Sequence, residues 1–120
     1  MTKTAEQILE VVIKAADDKQ AEEIMALDMK GVSLLADYFV VTHGNNERQI
    51  DAITNAIKDA AEKNNIEIRK IEGKEGGKWI LIDLGEVIVH LFNEEEREFY
   101  QLERLWTDAD YVDVSKWVEQ

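Results

Sequence analysis

Two carboxylates, an indole and an imidazole punctuate the most hydrophobic run of the chain, from Lys78 to Phe92. Asp83 and Glu86 flank Leu84-Gly85, Trp79 stands four residues before the first, and His90 four residues after the second. Two chemistries fit such a set. Carboxylates hold Mg²⁺ for nucleotidyl transfer when two or three of them converge from neighbouring strands. An aromatic anchor with polar companions instead makes an interface hot spot, its acidic pair aimed at Lys or Arg of a partner. The plain alternative for Asp83 and Glu86 is a pair of solvated turn residues.

The metal chemistry lacks donors. Glu67 and Glu72 fall on opposite faces of their strand, and Asp83 is alone on its own, so a two-metal site is not expected. His43 and His90 have neither Cys companions nor helical pairing, which argues against a metal centre. His90 reads most simply as a sheet histidine packing near Trp79, with a proton switch or an interface donor as the other readings. The passage from a strand through Gly44 into a helix resembles an anion-binding turn. It has no second Gly and no Walker lysine, and a plain strand-to-helix turn is the better reading. Further along, Tyr100, Glu103 and Trp106 share one face at helical spacing. Trp106 fits a core position at least as well as an interface, while Tyr100 and Glu103 could flank it at a surface.

The run that carries Trp79 to His90 is rich in β-branched residues and broken once, at Gly85, so it predicts two strands folded as a hairpin. Both halves are apolar at nearly every position, which predicts central strands covered on both faces. A two-residue loop at Leu84-Gly85 would pair Asp83 with Glu86, Leu81 with Ile88 and Trp79 with His90. Side chains alternate along a strand, so these six would share one mixed face, opposite an aliphatic face of Ile80, Ile82, Val87 and Val89. A turn longer by one residue would shift the pairs. Gly85 suits a positive φ, as in a type II turn or a bulged hairpin.

The remaining elements supply the frame. A first helix is expected over 4–16, capped by Thr4 with Gln7 three residues on. Short strands follow over 23–28 and 37–43, with a turn at Met29-Lys30-Gly31 between them and Val32 to Ala36 ambiguous, a single helical turn being one reading. A second helix runs from about Glu47 to Asn64, with Asn46 as N-cap. Ile66 to Ile71 alternates apolar and charged residues as an edge strand does, and Glu72 to Gly77 is a glycine-rich loop. Asn93 can cap a third helix whose first turn carries Glu94, Glu95 and Glu96, where the helix dipole favours them. That helix reaches about Trp106. Residues 107–120 are a tail that Tyr111, Val112, Val114, Trp117 and Val118 dock in places. Helices and five strands make an α/β sandwich with a mixed five-stranded sheet flanked by helices.

Composition bounds the partners. The 120 residues fit one domain over 1–120. There are no cysteines, so no disulfide or thiol chemistry is expected. No signal peptide is evident, and no apolar run approaches the roughly 18–20 residues of a membrane helix. A soluble cytoplasmic protein with no membrane partner is the expectation. The net charge of −12 disfavours direct binding to nucleic acid, whose phosphates call for Lys and Arg. It suits solubility or a basic protein partner.

Three blocks together resemble the ribosomal silencing factor family, also called Iojap-related. They are Asp37-Tyr38-Phe39-Val40-Val41-Thr42 with Gly44 and Arg48-Gln49, then Trp79 to Phe92, then Arg97 to Trp106. The resemblance covers roughly residues 4–110, and the last two blocks in this order and spacing are highly specific. Departures are mild: the family usually has a small residue at His43, Ser or Thr near Asn45 and Asn46, and Asp at Glu86.

The resemblance implies a nucleotidyltransferase-like α/β fold without catalytic residues, cofactor or metal. It implies a translational repressor that binds the large ribosomal subunit through its fourteenth ribosomal protein, blocks docking of the small subunit, and forms homodimers when free. The partner-binding set expected from the residues and the resemblance together is Trp79, Asp83, Glu86, His90, Tyr100, Glu103 and Trp106. A large-subunit assembly factor is the alternative, and a divergent Mg²⁺-dependent nucleotidyltransferase using Asp83 and Glu86 the more distant one.

Overall fold

A computed structural model describes residues 4–34, 36–73, 79–100 and 109–118, with Phe99 and Tyr100 described in their backbone only. Its elements are α1 (Ala5–Asp18), β1 (Glu22–Asp28), β2 (Tyr38–Gly44), α2 (Glu47–Lys63), β3 (Lys70–Glu72), β4 (Trp79–Asp83), β5 (Val87–Asn93), α3 (Glu94–Tyr100) and β6 (Asp110–Val112). The sheet is mixed, in the order β3-β4-β5-β2-β1-β6. Among the described residues only β2 and β5 run parallel, joined through α2 and the β3–β4 pair, and every other neighbour is antiparallel.

The helices form where caps and apolar spacing agree. Thr4 and Gln7 make the reciprocal capping box at the start of α1, which satisfies two backbone donors that the first turn leaves unpaired. Ile8, Leu9, Val12, Ile13 and Ala16 of α1 and Ile50, Ile53, Ile57 and Ala61 of α2 are buried together. They pack on the aliphatic side of the sheet, made by Val40, Ile80, Ile82, Val87, Val89 and Leu91. The opposite face is built from Leu27, Phe39, Val41, Ile88, His90 and Phe92, whose places in the register put them in common rows. Met29, Ala36 and Ala109 pack into that second face, and Leu81 borders it.

Several sequence expectations change. Among the described residues the sheet has six strands, because Asp110–Val112 of the tail pairs antiparallel with β1. The expected edge strand over 66–71 shrinks to Lys70–Glu72. Ile66 instead donates its N–H to the Ala61 carbonyl at the end of α2, and is buried there. The first strand begins at Glu22 with an irregularity between Glu22 and Met25, where Glu23 takes φ 44°. The expected turn at Met29-Lys30-Gly31 stands, with Val32 N and Ser33 N both donating to Met29 O, while Leu35 of the ambiguous stretch after it lies outside the described residues. The third helix is described to Tyr100, and its expected continuation lies outside the described residues.

The hairpin itself is shifted. Trp79 pairs with Phe92, Leu81 with His90, and Asp83 with Ile88. The two-residue loop is therefore Gly85-Glu86, with Leu84 N donating to Val87 O at 2.9 Å. A loop at Leu84-Gly85 would ask Leu84 to lead the turn. Gly85 leads it instead, at φ 89°, the conformation a type II′ hairpin turn reserves for its first central residue. Leu84 is thereby free to be buried on the helix side. The expected pairs Asp83–Glu86, Leu81–Ile88 and Trp79–His90 are thus replaced, and Glu86 leaves the mixed face for the turn. The facing of every other residue is kept, because moving the loop by one residue changes the pairing sum by two.

Candidate partner-binding face

β5 is buried along its length apart from Asn93, but β4 alternates between buried and half-buried. The expectation of two strands covered on both faces therefore holds for β5 and fails for β4. β4's outer neighbour, β3, is only three residues long and lies at the sheet edge. The half-buried positions are Trp79, Leu81 and Asp83. They share a face and span about 13 Å at the rise of a strand. An indole, an isobutyl group and a carboxylate thus stand in a row. Glu72 is cross-strand from Leu81 and Lys70 from Asp83, with Lys70 and Glu72 in an exposed ion pair at 3.2 Å.

Aromatic rings hold the apolar end of the row. Trp79 packs on Phe92 at 5.0 Å between centroids and lies 6.0 Å from the ring of His90. His90 in turn meets Phe39 edge-on at 5.0 Å. The Trp79 Nε1–H donates to His90 Nδ1 over a long 3.4 Å. An imidazole that accepts at Nδ1 is neutral and carries its proton on Nε2. Burial favours the same state, and it pushes the pKa of His90 down to about 4. His90 is interior, so its contribution to a surface passes through Trp79.

The acidic end is fixed by the turn. Asp83 Oδ1 accepts from the Gly85 N–H at 2.8 Å, and Arg69 N donates to Asp83 O at 2.7 Å. The missing Cβ of Gly85 lets the Arg69 guanidinium lie across the turn; a Cβ there would stand 3.3 Å from Arg69 Nε. Glu86 is exposed at the tip. Its carbonyl accepts from Asp37 N and Tyr38 N, which ties the turn to the start of β2. Of the remaining expected residues, the Tyr100 side chain, Glu103 and Trp106 lie outside the described residues. Leu81 is the residue that sequence reasoning passed over: it sat in an apolar run, and its half-exposure reflects how little packs over this face of β4.

Two other constellations resolve into structure. Asn46 Oδ1 accepts from Gln49 N, while Gln49 Oε1 accepts from Asn45 N. The N-terminus of α2 is thus closed by its own side chains. A Cβ on Gly44 would meet Ile50 Cγ1 at 2.8 Å, so this glycine serves the close approach of helix to strand. His43 is buried beside Arg97, whose Nη1 lies 3.0 Å from His43 Nδ1 and donates to Glu22 O at 3.2 Å. Desolvation first, and then the Arg97 charge, hold the pKa of His43 below its usual value. Among the described residues no group of three or more His, Cys, Asp or Glu is placed to hold a metal ion, and no helix is long and apolar enough to cross a membrane.

The fold is thus a small mixed α/β sheet flanked by helices, with an apolar-acidic row on its half-open strand β4. The family is then given by comparison. The chain matches the model of RsfS, ribosomal silencing factor during starvation, over residues 2–120, and it belongs to that family. It is 50% identical over 107 residues to the ribosomal silencing factor RsfS of Bacillus subtilis strain 168, covering 89% of this chain and 91% of that one. A crystal structure from Bacillus halodurans superposes with a TM-score of 0.80 at 45% identity, covering 90% of this chain and 98% of that one. A mouse relative named mitochondrial assembly of ribosomal large subunit protein 1 is 27% identical over 110 residues, 88% of this chain and 47% of its own length. These names describe a ribosome-associated regulator.

Proposed function

We propose that this chain silences translation by occlusion. It binds the large ribosomal subunit through the fourteenth large-subunit ribosomal protein and blocks docking of the small subunit, with no chemical step. The observation that carries this reading is the Trp79-Leu81-Asp83 row on the half-open face of β4, closed at its acidic end by Glu86. Trp79 is the apolar anchor, and Asp83 and Glu86 face basic groups of the partner. A net charge of −12 suits a basic protein that itself sits on RNA, since it steers association without binding the RNA. His90 contributes by holding the indole. Tyr100, Glu103 and Trp106 stay in the reading as secondary contacts on the strength of the family resemblance.

Sedimentation with purified large subunits, with and without small subunits, tests it. Pelleting with large subunits, and fewer joined ribosomes as the protein is added, is the expected result. Absence from the large-subunit pellet overturns the reading. Light scattering on the free chain reads the self-association that the resemblance implies. The mouse relative's name favours a second reading, large-subunit assembly. In that case the protein would be found on assembly intermediates, and its removal would leave joining of finished subunits unchanged.

A further inference from the structure

The loop between β1 and β2 presents apolar side chains outward from a closed base. Leu34 is fully exposed and Val32 is 39% exposed. Single exposed leucines are ordinary, but the residues that lead into Leu34 are held in place. Met29 is completely buried, and its N–H donates to Asp37 O at 2.7 Å, joining the two ends of the loop. Val32 N and Ser33 N both close on Met29 O, and Lys30 N is held by Asp28 Oδ1 at 2.9 Å. Gly31 makes the reversal at φ 86°. Leu34 thus follows directly on a hydrogen-bonded turn over Met29 to Ser33, which lowers the ordering cost of a contact made through it.

The place of the loop says what it faces. Met29 and Ala36 root it in the same apolar cluster that Leu81 borders, so it rises from the face of the sheet that carries the Trp79-Leu81-Asp83 row. Its far end is bound to the hairpin turn, since Asp37 N and Tyr38 N both donate to Glu86 O, at 2.8 and 3.1 Å. The loop therefore continues the acidic end of the row. Asp28, Asp37, Asp83, Glu86 and Asp110 come to this one end of the sheet. Asp28 and Asp110 stand directly opposite each other, an arrangement that costs stability between like charges. Lys30 offsets part of it, with Nζ 3.5 Å from Asp28 Oδ2.

We propose that Leu34, with Val32 beside it, is a second apolar anchor for the same basic ribosomal protein. It would seat in an apolar depression flanked by Lys or Arg, while the carboxylates between the two anchors meet the basic groups. This rests on the proposed function and deepens it: the interface has two apolar points, Trp79 with Leu81 and Leu34 with Val32, and an acidic stretch between them.

The test is large-subunit co-sedimentation of the full chain carrying Leu34→Ser, with Leu34→Met as the conservative variant and thermal melts as a fold control. A weakening of about tenfold or more for Leu34→Ser, near-native binding for Leu34→Met and unchanged melting support the anchor. Unchanged binding of Leu34→Ser overturns it, also if light scattering shows that the substitution alters self-association, because Leu34 would then serve a second copy of the chain. Failure of the unsubstituted chain to bind large subunits removes the proposed function and this inference with it. Native binding that Trp79→Ala abolishes and Leu34→Ser leaves intact removes this inference alone.

Discussion

The Trp79 indole donates to the Nδ1 of His90 across 3.4 Å, although the strand partner of Trp79 is Phe92 and that of His90 is Leu81. The contact is diagonal, and it joins a half-buried ring to a buried one. It makes the surface position of Trp79 depend on an interior imidazole that must stay neutral. Replacing Trp79 by Ala removes the larger of the proposed anchors while leaving the helix-side core untouched. Binding to large subunits is expected to fall by about 2 kcal/mol or more, the size of an interface hot spot. Affinity measured by sedimentation, on a variant shown to be folded by circular dichroism, checks this. Native affinity in a folded variant would remove Trp79 from the interface.

The same imidazole links stability to acid. In the folded chain His90 titrates near 4, against 6.5 for an exposed histidine. Between those values the unfolded chain binds a proton that the folded chain refuses, so stability falls as pH falls. The contribution is complete above about pH 6.5, declines down to about pH 4, and is flat below. Its full size is on the order of 3 kcal/mol. His43 is shifted in the same direction, so the two slopes add. Urea unfolding between pH 7 and pH 4 is expected to show a shallower pH dependence for His90→Gln than for the native chain. Equal slopes would show that His90 does not carry the linkage.

Two glycines separate backbone conformation from steric clash. Gly73 and Gly31 both adopt positive φ, at 79° and 86°. A Cβ on Gly73 would collide with the Trp79 carbonyl oxygen, whereas one on Gly31 meets nothing within 4 Å. Gly31→Ala is expected to cost about 1 kcal/mol from conformation alone. Gly73→Ala carries that cost together with a backbone collision at the start of β4, so about 2 kcal/mol or more is expected. Because the collision is with Trp79, Gly73→Ala should also weaken large-subunit binding if Trp79 is the proposed anchor. Chemical denaturation of both variants reads the first effect, and equal losses would argue against the clash.

The facing of the hairpin was legible in the sequence because it depends only on the period of two along a strand. Partner identity was not, because it depends on which residue leads the turn, and the positive φ of Gly85 moves the loop by one residue. The caps at Thr4 and Asn46 were legible for a local reason: each is a side chain closing on a donor three residues away. β6 was not, since Asp110-Tyr111-Val112 has no pattern of its own and becomes a strand only by pairing with β1. At the candidate face, Trp79 and Asp83 stood out by residue type. Leu81 and Leu34 did not, because an exposed leucine is distinguished from a buried one only by what the rest of the chain places over it. For His90 the simplest reading, a sheet histidine packing near Trp79, matches its buried place beside that ring.

Charge at the turn offers a test that leaves the fold intact. Asp83 has two duties, since its Oδ1 also holds the Gly85 N–H at 2.8 Å. Asp83→Ala would remove the charge and the turn bond together, and a loss of binding would be uninterpretable. Asp83→Asn keeps a carbonyl oxygen for Gly85 and removes only the charge. Glu86→Gln does the same at the tip, where the side chain is exposed and only the backbone carbonyl is engaged. If the two carboxylates meet basic groups of the partner, the double variant should bind large subunits less tightly by about tenfold at low salt. Its affinity should also fall less steeply as salt is raised, since fewer charge pairs are left to screen. Co-sedimentation across a potassium chloride series measures both. A double variant with native affinity and native salt dependence would assign the acidic turn to solubility, and leave the apolar row of Trp79 and Leu81 to carry recognition.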